Sequence, residues 1–191
     1  MRRTRRGCWV VEEAVAATER LLLRAWRDED AVPFHALNQD PELNRFLADA
    51  PPTLDEIRAM IGRMRACQEE HGHCFWAVER RDTAELIGFC GLKPGPERTP
   101  IAGAVEIGWR IARPHWRRGY AHEAARASLD RAWRTGIDAV AAITVPANEP
   151  SWRLMERLGM VRDHRADFDH PALPPGHRLR RHLTYRIARP V

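Results

Sequence analysis

An arginine-rich turn, WRRGYA at residues 116–121, lies between an apolar run and a helical pattern and has residue types that suit an anion. Gly119 lets the backbone approach a ligand closely, and Arg117 and Arg118 add positive charge. The first N–H groups of the helix that follows have no partner inside that helix, and the helix dipole adds partial positive charge there. The turn therefore predicts a phosphate or pyrophosphate site. A strand-to-helix turn with glycine is also common as plain structure, and the chain has no other phosphate-loop pattern.

Two polar residues, Asn148 and Ser151, lie where a second apolar run gives way to a helical pattern. The spacing puts Ser151, Met155 and Leu158 on one face of a helix predicted over Pro150–Leu158. Taken alone, this arrangement is explained by an asparagine that caps a core helix. Beside the arginine-rich turn it becomes a candidate second part of the same site.

The elements that must position these residues alternate in type along the chain, which predicts the α/β (α+β) class with a mixed sheet of six or seven strands and about four helices. The predicted strands are Arg20–Trp26, CFWAVERR, ELIGFCGL, Ala104–Ala112, Ala139–Val145 and LTYRIA. The predicted helices are a short one from Asp28 to Leu37, one from the capping box Thr53–Glu56, Tyr120–Trp133 and Pro150–Leu158.

Length and composition describe an ordinary globular protein. The chain has 191 residues, 44% hydrophobic and 30% charged, and no run approaches the roughly 18 apolar residues of a membrane span. The net charge is +5, and four of the positive charges are Arg2, Arg3, Arg5 and Arg6, so neither nucleic acid nor a membrane is expected as a partner. We predict a mobile basic leader over residues 1–17, a single domain over residues 18–191, and a cytoplasmic monomer or homodimer.

Four cysteines are too few and too irregularly spaced for a disulfide framework in this chain. Cys67, His71, His73 and Cys74 could supply four zinc ligands. Adjacent His73 and Cys74 would, however, point to opposite sides of a strand. We therefore expect a polar helix end and a core cysteine in this segment, and no metal.

Together, the segments VEIGWRIARPHWRRGYAHEA and NEPSWRLMERLGM resemble the GNAT (GCN5-related N-acetyltransferase) superfamily, and specifically its RimJ/RimL-like branch. The segments DPELNRFL and ELIGFCGL precede them in that family's order, so the resemblance runs from about Arg20 to the end of the chain. The family's pyrophosphate loop, Gln/Arg-x-x-Gly-x-Gly/Ala, falls on residues 116–121, and Trp116 departs from its first position. The resemblance implies a GNAT-like sheet that splays between the fourth and fifth predicted strands.

The resemblance also implies acetyl-CoA as co-substrate and acetyl transfer to a primary amine, in a protein N-terminus or a small molecule. The pantetheine amides would pair with the strand near Ile111, and Asn148 would face the pantetheine arm. The residues implied to contact the donor are Ile111, Ala112, Arg113, Arg117, Arg118, Gly119, Tyr120, Ala121, His122 and Asn148.

Direct attack of a neutral amine on a thioester needs a base, a donor for the oxyanion and an acid for the thiolate. Many family members have a tyrosine seven residues after the asparagine, but Met155 stands there in this chain. Ser151, at a helix N-terminus, is the nearest hydroxyl for the acid role. Glu106 is the best-placed carboxylate for the base, and its alternative is a structural acceptor for a buried arginine or N–H group.

The acceptor pocket is predicted from aromatic residues and from the long loop before the last strand. The candidates are Trp26, Phe34, Phe46, Trp76, Asp169 and His170. Aromatic residues at these spacings are also typical of a core, and a loop turn explains Asp169 and His170 as well. Two features favour an alternative function, a non-catalytic acyl-CoA-binding or regulatory module: the absence of the family's tyrosine at position 155 and the presence of Trp116 at the first position of the loop. A third alternative is a nucleic-acid-binding protein, which the basic leader and tail would fit.

Overall fold

Short apolar runs separated by turns become the strands of one mixed sheet, and helices cover both of its faces. The computed structural model describes residues 14–190. The strands are β1 (Ala14–Ala17), β2 (Leu21–Arg24), β3 (Phe75–Arg80), β4 (Leu86–Pro94), β5 (Val105–Ile111), β6 (Ala139–Thr144), β7 (Val161–Arg162), β8 (Phe168–Asp169) and β9 (Arg181–Ala188). The α-helices are α1 (Ala31–Asn38), α2 (Pro41–Asn44), α3 (Leu54–His71), α4 (Tyr120–Arg134) and α5 (Glu149–Arg157).

The strands follow the order β1-β2-β3-β4-β5-β6-β9-β7, and β8 pairs with β9. Neighbours are antiparallel except β5 and β6, which run parallel. The predicted mixed α+β class is confirmed, and three short strands, β1, β7 and β8, come in addition to the predicted ones. Within residues 14–190, no helix combines the length and apolar character needed to cross a membrane.

The strand β1 extends the folded domain to residue 14, whereas the sequence predicts that the domain begins at residue 18. It pairs with β2, with Ala17 opposite Leu22, and its residue Val15 packs against the core. Residues 14–17 are therefore part of the sheet and not of a leader. The rest of the predicted leader, including its four arginines and Cys8, lies outside the described residues.

Side-chain alternation along β3 separates two apolar clusters on opposite faces of the sheet. Trp76 and Val78 pack in the cluster that includes residues of α4 and α5. Ala77 packs with Phe34 and Ile61 in the cluster formed with α1 and α3. The sheet is thus buried on both sides, which fixes the direction of each side chain that reaches the site.

Three residues predicted to line an acceptor pocket belong to these clusters instead. Trp26, Phe34 and Trp76 are at most 4% exposed. The indole of Trp26 donates to the carbonyl of Phe75 at 2.6 Å, and the indole of Trp76 donates to Gln68 Oε1 at 2.8 Å. Their rings fill the core because strand and helix periodicity turn them inward, so this part of the predicted acceptor pocket is corrected.

The segment considered for zinc does not gather its ligands. Cys67 Sγ donates to the carbonyl of His73 at 3.3 Å, and Cys74 is buried in the core. Burial raises the pKa of Cys74 to about 12, which disfavours a metal-binding thiolate. Among residues 14–190, no three His, Cys, Asp or Glu side chains are grouped to hold a metal ion.

The sheet opens between β5 and β6. These two strands pair at Val105 with Val140 and at Glu106 with Ala141, whereas β5 continues to Ile111. The edge of β5 beyond these pairs has no strand partner on that side within the described chain. The predicted splay between the fourth and fifth predicted strands is confirmed.

Candidate active site

A cavity of about 750 Å³ lies beyond the point where β5 and β6 diverge. Its walls come from the end of β5, the arginine-rich turn with the start of α4, the start of α5, and the segment Glu42–Leu47 that includes part of α2. It brings together the predicted residues Phe46, Ile111, Arg117, Gly119, Tyr120, Ala121, His122, Asn148 and Ser151. The two segments identified as candidate halves of one site therefore do meet.

The open edge of β5 offers backbone groups to the cavity. The N–H of Ala112 donates to the carbonyl of Ile87 at 2.8 Å, which sets the phase of alternation along the strand. Because alternate residues of an antiparallel strand point their N–H and C=O groups to opposite sides, those of Trp109 and Ile111 point into the gap. The indole N–H of Trp116 donates to the carbonyl of Ile111 at 2.5 Å, so that carbonyl is already used. The N–H of Ile111 and both groups of Trp109 are left for an amide-bearing ligand.

The arginine-rich turn has a left-handed backbone at two positions. Arg117 has a φ of 59° and Gly119 a φ of 83°. Left-handed residues just before a helix turn successive N–H groups toward one side, and the helix α4 begins at Tyr120 with unpaired N–H groups of its own. Trp116 fastens this turn to β5, so the departure from the family pattern has a structural role. The turn can hold a phosphate through its backbone alone.

The segment before β2 contacts the arginine-rich turn and the first turn of α4 through Arg20. Arg20 forms an ion pair of 2.5 Å with Glu123 of α4 and donates to the carbonyl of Arg118 at 3.0 Å. Its guanidinium also lies 4.6 Å from the ring centre of Tyr120. Burial opposes ionisation of Glu123, but hydrogen bonds from Thr18 and Arg20 outweigh it and lower the pKa of this carboxyl. These contacts shape the turn without a ligand.

The start of α5 presents two polar side chains with free bonding capacity. The backbone carbonyl of Asn148 accepts from the N–H of Ser151 at 3.0 Å, whereas its side chain makes no capping hydrogen bond. The proposed alternative of a side-chain cap is thus not the arrangement found. Ser151 is partly buried, and its hydroxyl has no hydrogen-bond partner within residues 14–190. Met155, one turn further on, is 2% exposed and packs in the core.

Glu106 lies at the last position where β5 pairs with β6. It is 8% exposed and forms an ion pair with Lys93, which faces it across β4 and β5. Burial raises the pKa of Glu106, and Lys93 opposes this effect. The raised pKa suits a base. The ion pair also agrees with the alternative role of Glu106 as a structural acceptor, although its partner is a lysine and not an arginine or an N–H group.

Several predicted residues do not line the cavity, namely Ala112, Arg113, Arg118, Asp169 and His170, and neither does Glu106. Arg113 donates to Asp40, just before α2, at 2.6 Å, so its positive charge is paired with a carboxylate. Asp169 is paired with Arg180 at 3.2 Å. The N–H of Leu173 donates to the carbonyl of His170 at 3.1 Å, so the structure contains a hydrogen-bonded loop turn here.

The functional residues that sequence reasoning missed include Trp109 and Arg110 in the cavity wall and Arg20 behind the arginine-rich turn. Trp109 and Arg110 line the cavity beside Ile111. The signal for Trp109 was available, since it is two residues from Ile111 and shares its strand edge. No local pattern connects Arg20 with Glu123, because 103 positions separate them.

Comparison with known proteins shows which family the chain is similar to. A family model described as an acetyltransferase (GNAT) domain matches residues 20–161. The uncharacterized protein YkkB of Bacillus subtilis is 32% identical over 145 residues, which cover 75% of this chain and 83% of YkkB. The uncharacterized N-acetyltransferase YoaA of the same organism is 30% identical over 151 residues, covering 78% of this chain and 84% of YoaA.

Among solved structures, the chain is similar to RimL, a ribosomal-protein α-N-acetyltransferase in complex with coenzyme A. The TM-score is 0.76, with 92% of this chain and 98% of that chain covered at 15% identity. This likeness shows the fold. The family-model match and YoaA, the N-acetyltransferase relative at 30% identity, show that the chain belongs to the GNAT acetyltransferase family, as the sequence resemblance implied.

Proposed function

We propose that this protein transfers an acetyl group from acetyl-CoA to a primary amine, in a protein N-terminus or a small molecule. The observation that carries the proposal is the meeting of the open β5 edge and the arginine-rich turn in one cavity. The strand edge suits the amides of a pantetheine arm, and the turn suits a pyrophosphate. Coenzyme A has both parts, separated along its length.

The residues around the cavity suit the chemistry of acetyl transfer. The amine nitrogen attacks the thioester carbon, a C–N bond forms, and the C–S bond breaks. The N–H groups at the β5 edge, of Trp109 or Ile111, are available to the oxyanion. Ser151, with its unpaired hydroxyl at a helix N-terminus, donates to the departing thiolate. Glu106 does not line the cavity, so it takes the proton from the amine through water.

Ligand-induced thermal shifts test the donor part of this proposal. Acetyl-CoA at 100 times its Kd should stabilise the fold by about 2.7 kcal/mol. Acetyl-pantetheine has the thioester and the amide arm but no pyrophosphate, so it should bind much more weakly because it leaves the turn empty. Absence of a shift with acetyl-CoA would contradict the proposal.

Release of the CoA thiol with a panel of amines tests the transfer itself. We expect release that depends on both acetyl-CoA and an amine. A thermal shift without release for any amine would favour the alternative, a non-catalytic acyl-CoA-binding module. The buried Met155 at the family's tyrosine position is the observation that supports that alternative.

A further inference from the structure

Arg110, on β5, is a cation in the cavity wall without a carboxylate partner in residues 14–190. Its Nη1 donates to Asn38 Oδ1, while its Nε is buried and has no partner. The guanidinium lies 5.5 Å from the ring centre of Phe89. Burial lowers the pKa of Arg110 to about 10, which reflects the cost of holding a charge there. An anion that entered the cavity would offset this cost.

Asn38 orients Arg110 but does not neutralise it. Asn38 is 0% exposed, and its Nδ2 donates to the carbonyl of Phe34 at 2.6 Å. Because the amide nitrogen is used there, the amide oxygen is fixed toward Arg110. Asn44 in turn donates to the backbone carbonyl of Asn38. A neutral amide held so firmly positions a guanidinium whose other N–H groups stay available to a ligand.

Arg110 lies on a different face of β5 from the proposed phosphate site. Ile111 packs in the cluster of α4, whereas Arg110 stacks on Phe89, which belongs to the cluster of α1 and α3. Alternation also places Arg110 on the strand face of Glu106, roughly 13 Å further along β5. Arg110 thus lies with the proposed base on the face opposite the helix that begins at the turn.

We propose that the acceptor amine carries a carboxylate and that Arg110 binds this group while the amine reaches the thioester. This inference rests on the proposed function. The two oxygens of a planar carboxylate accept hydrogen bonds from two N–H groups of a guanidinium, and an acceptor amine without a carboxylate cannot form this pair. A free amino acid and a peptide with an acidic residue beside its N-terminus supply the same chemistry, and the acceptors chosen for the test distinguish them.

The test measures kcat/KM for acceptor pairs that differ in one charge: an amino acid and its amide, and peptides with aspartate or asparagine at the second position. The wild-type protein should prefer the carboxylate member of at least one pair by about 10- to 100-fold. Arg110→Gln should remove this preference, with the amide member changed by less than about 3-fold. Arg110→Lys keeps the charge but loses the paired N–H geometry, so it should keep part of the preference.

Arg58→Gln is the matched control, because Arg58 is an exposed cation on α3 outside the cavity. It should keep the full preference. The acetyl-CoA thermal shift should be the same in Arg110→Gln and in the wild type, and its loss would assign Arg110 to the donor and overturn the inference. If Arg110→Gln does not fold, the wild-type preference and its partial loss in Arg110→Lys decide.

Two failures can be told apart. Transfer by the wild-type protein with equal kcat/KM for both members of every pair would overturn this inference and leave the proposed function standing. Transfer to no amine at all would overturn both. An equal loss for both members in Arg110→Gln would make Arg110 a structural residue.

Discussion

Glu106 of β5 lies opposite Lys93 of the neighbouring strand β4. Because this ion pair affects the pKa of Glu106, the hypothesis that Glu106 is the base predicts a specific pH dependence of kcat/KM. Burial raises the pKa of Glu106 above its usual 4.5, and Lys93 draws it back down. Because a base must be ionised, kcat/KM should fall as the pH drops through this pKa. We expect Glu106→Gln to abolish that acidic limb and to lower kcat/KM by about 10²- to 10⁴-fold, measured in pH profiles.

The Lys93→Met variant is the matched control for this prediction. It keeps the carboxylate and removes the cation that favours its ionised form, so the acidic limb should move to higher pH. A limb at the same pH in Lys93→Met, or an unchanged profile in Glu106→Gln, would assign Glu106 to a structural ion pair and the base role to solvent.

Ser151 gives the second prediction for a single residue. Its hydroxyl has no partner within the described chain, and Met155 offers none in the position where the family often has tyrosine. Ser151→Ala should therefore lower kcat by roughly 10- to 1,000-fold and leave the Kd of acetyl-CoA nearly unchanged. Ser151→Thr retains a hydroxyl and should retain most activity. Full kcat in Ser151→Ala, with chemistry rate-limiting, would mean that the thiolate leaves without help from this residue.

The contact between the segment before β2 and the arginine-rich turn is an interaction between elements. Arg20 is 43% exposed through its side chain, so its ion pair with Glu123 adds little to global stability. Its hydrogen bond to the Arg118 carbonyl instead fixes the shape of the turn. Arg20→Ala should raise the Kd of acetyl-CoA about 5- to 30-fold, because ligand binding must then order the turn. Titration calorimetry measures this, and the affinity for acetyl-pantetheine should not change.

Glu123→Gln separates positioning from direct phosphate contact. If Arg20 positions the turn, loss of its carboxylate partner loosens the turn and weakens acetyl-CoA binding. If Arg20 instead bound a phosphate itself, removal of the nearby negative charge would strengthen binding. The two roles of Arg20 thus predict changes of opposite sign.

The sequence predicts those parts of the fold and site that are carried by contiguous residues. The helix predicted over Tyr120–Trp133 is α4, Tyr120–Arg134, because Gly119 and Gly136 bound a clear apolar stripe. The two-residue strands β7 and β8 could not be predicted, since two residues have no periodicity. The arginine-rich turn was likewise visible within six residues.

The parts that the sequence did not predict depend on contacts between distant segments. Arg110 meets Asn38 across 72 positions, and no local pattern marks the pair. Trp76 is buried because helices cover both faces of β3, which residue type alone does not determine. Residue type and spacing therefore do not distinguish an aromatic residue that lines a pocket from one in the core, and packing places Trp26, Phe34 and Trp76 in the core.

The molecule as a whole consists of two groups of strands joined weakly in the sheet. One group is β1–β5 and the other is β6–β9, and they are connected at β5 and β6, where pairing stops after Glu106. A ligand that pairs with the open edge of β5 and contacts the start of α5 would bridge the two groups. Binding should therefore order both sides of the gap together.

Amide hydrogen exchange measures this bridging. At 100 times its Kd, acetyl-CoA should slow exchange about 100-fold at amides that open only in the free protein, namely those of Trp109 and Ile111 and of the turn up to His122. The last turn of α3 near His71 does not line the cavity and should keep its rate. Saturating acetyl-pantetheine should protect the β5 edge and not the turn. Protection by acetyl-CoA at the turn alone would mean that the ligand binds as an anion at the helix start, and the open strand edge would then have no part in donor binding.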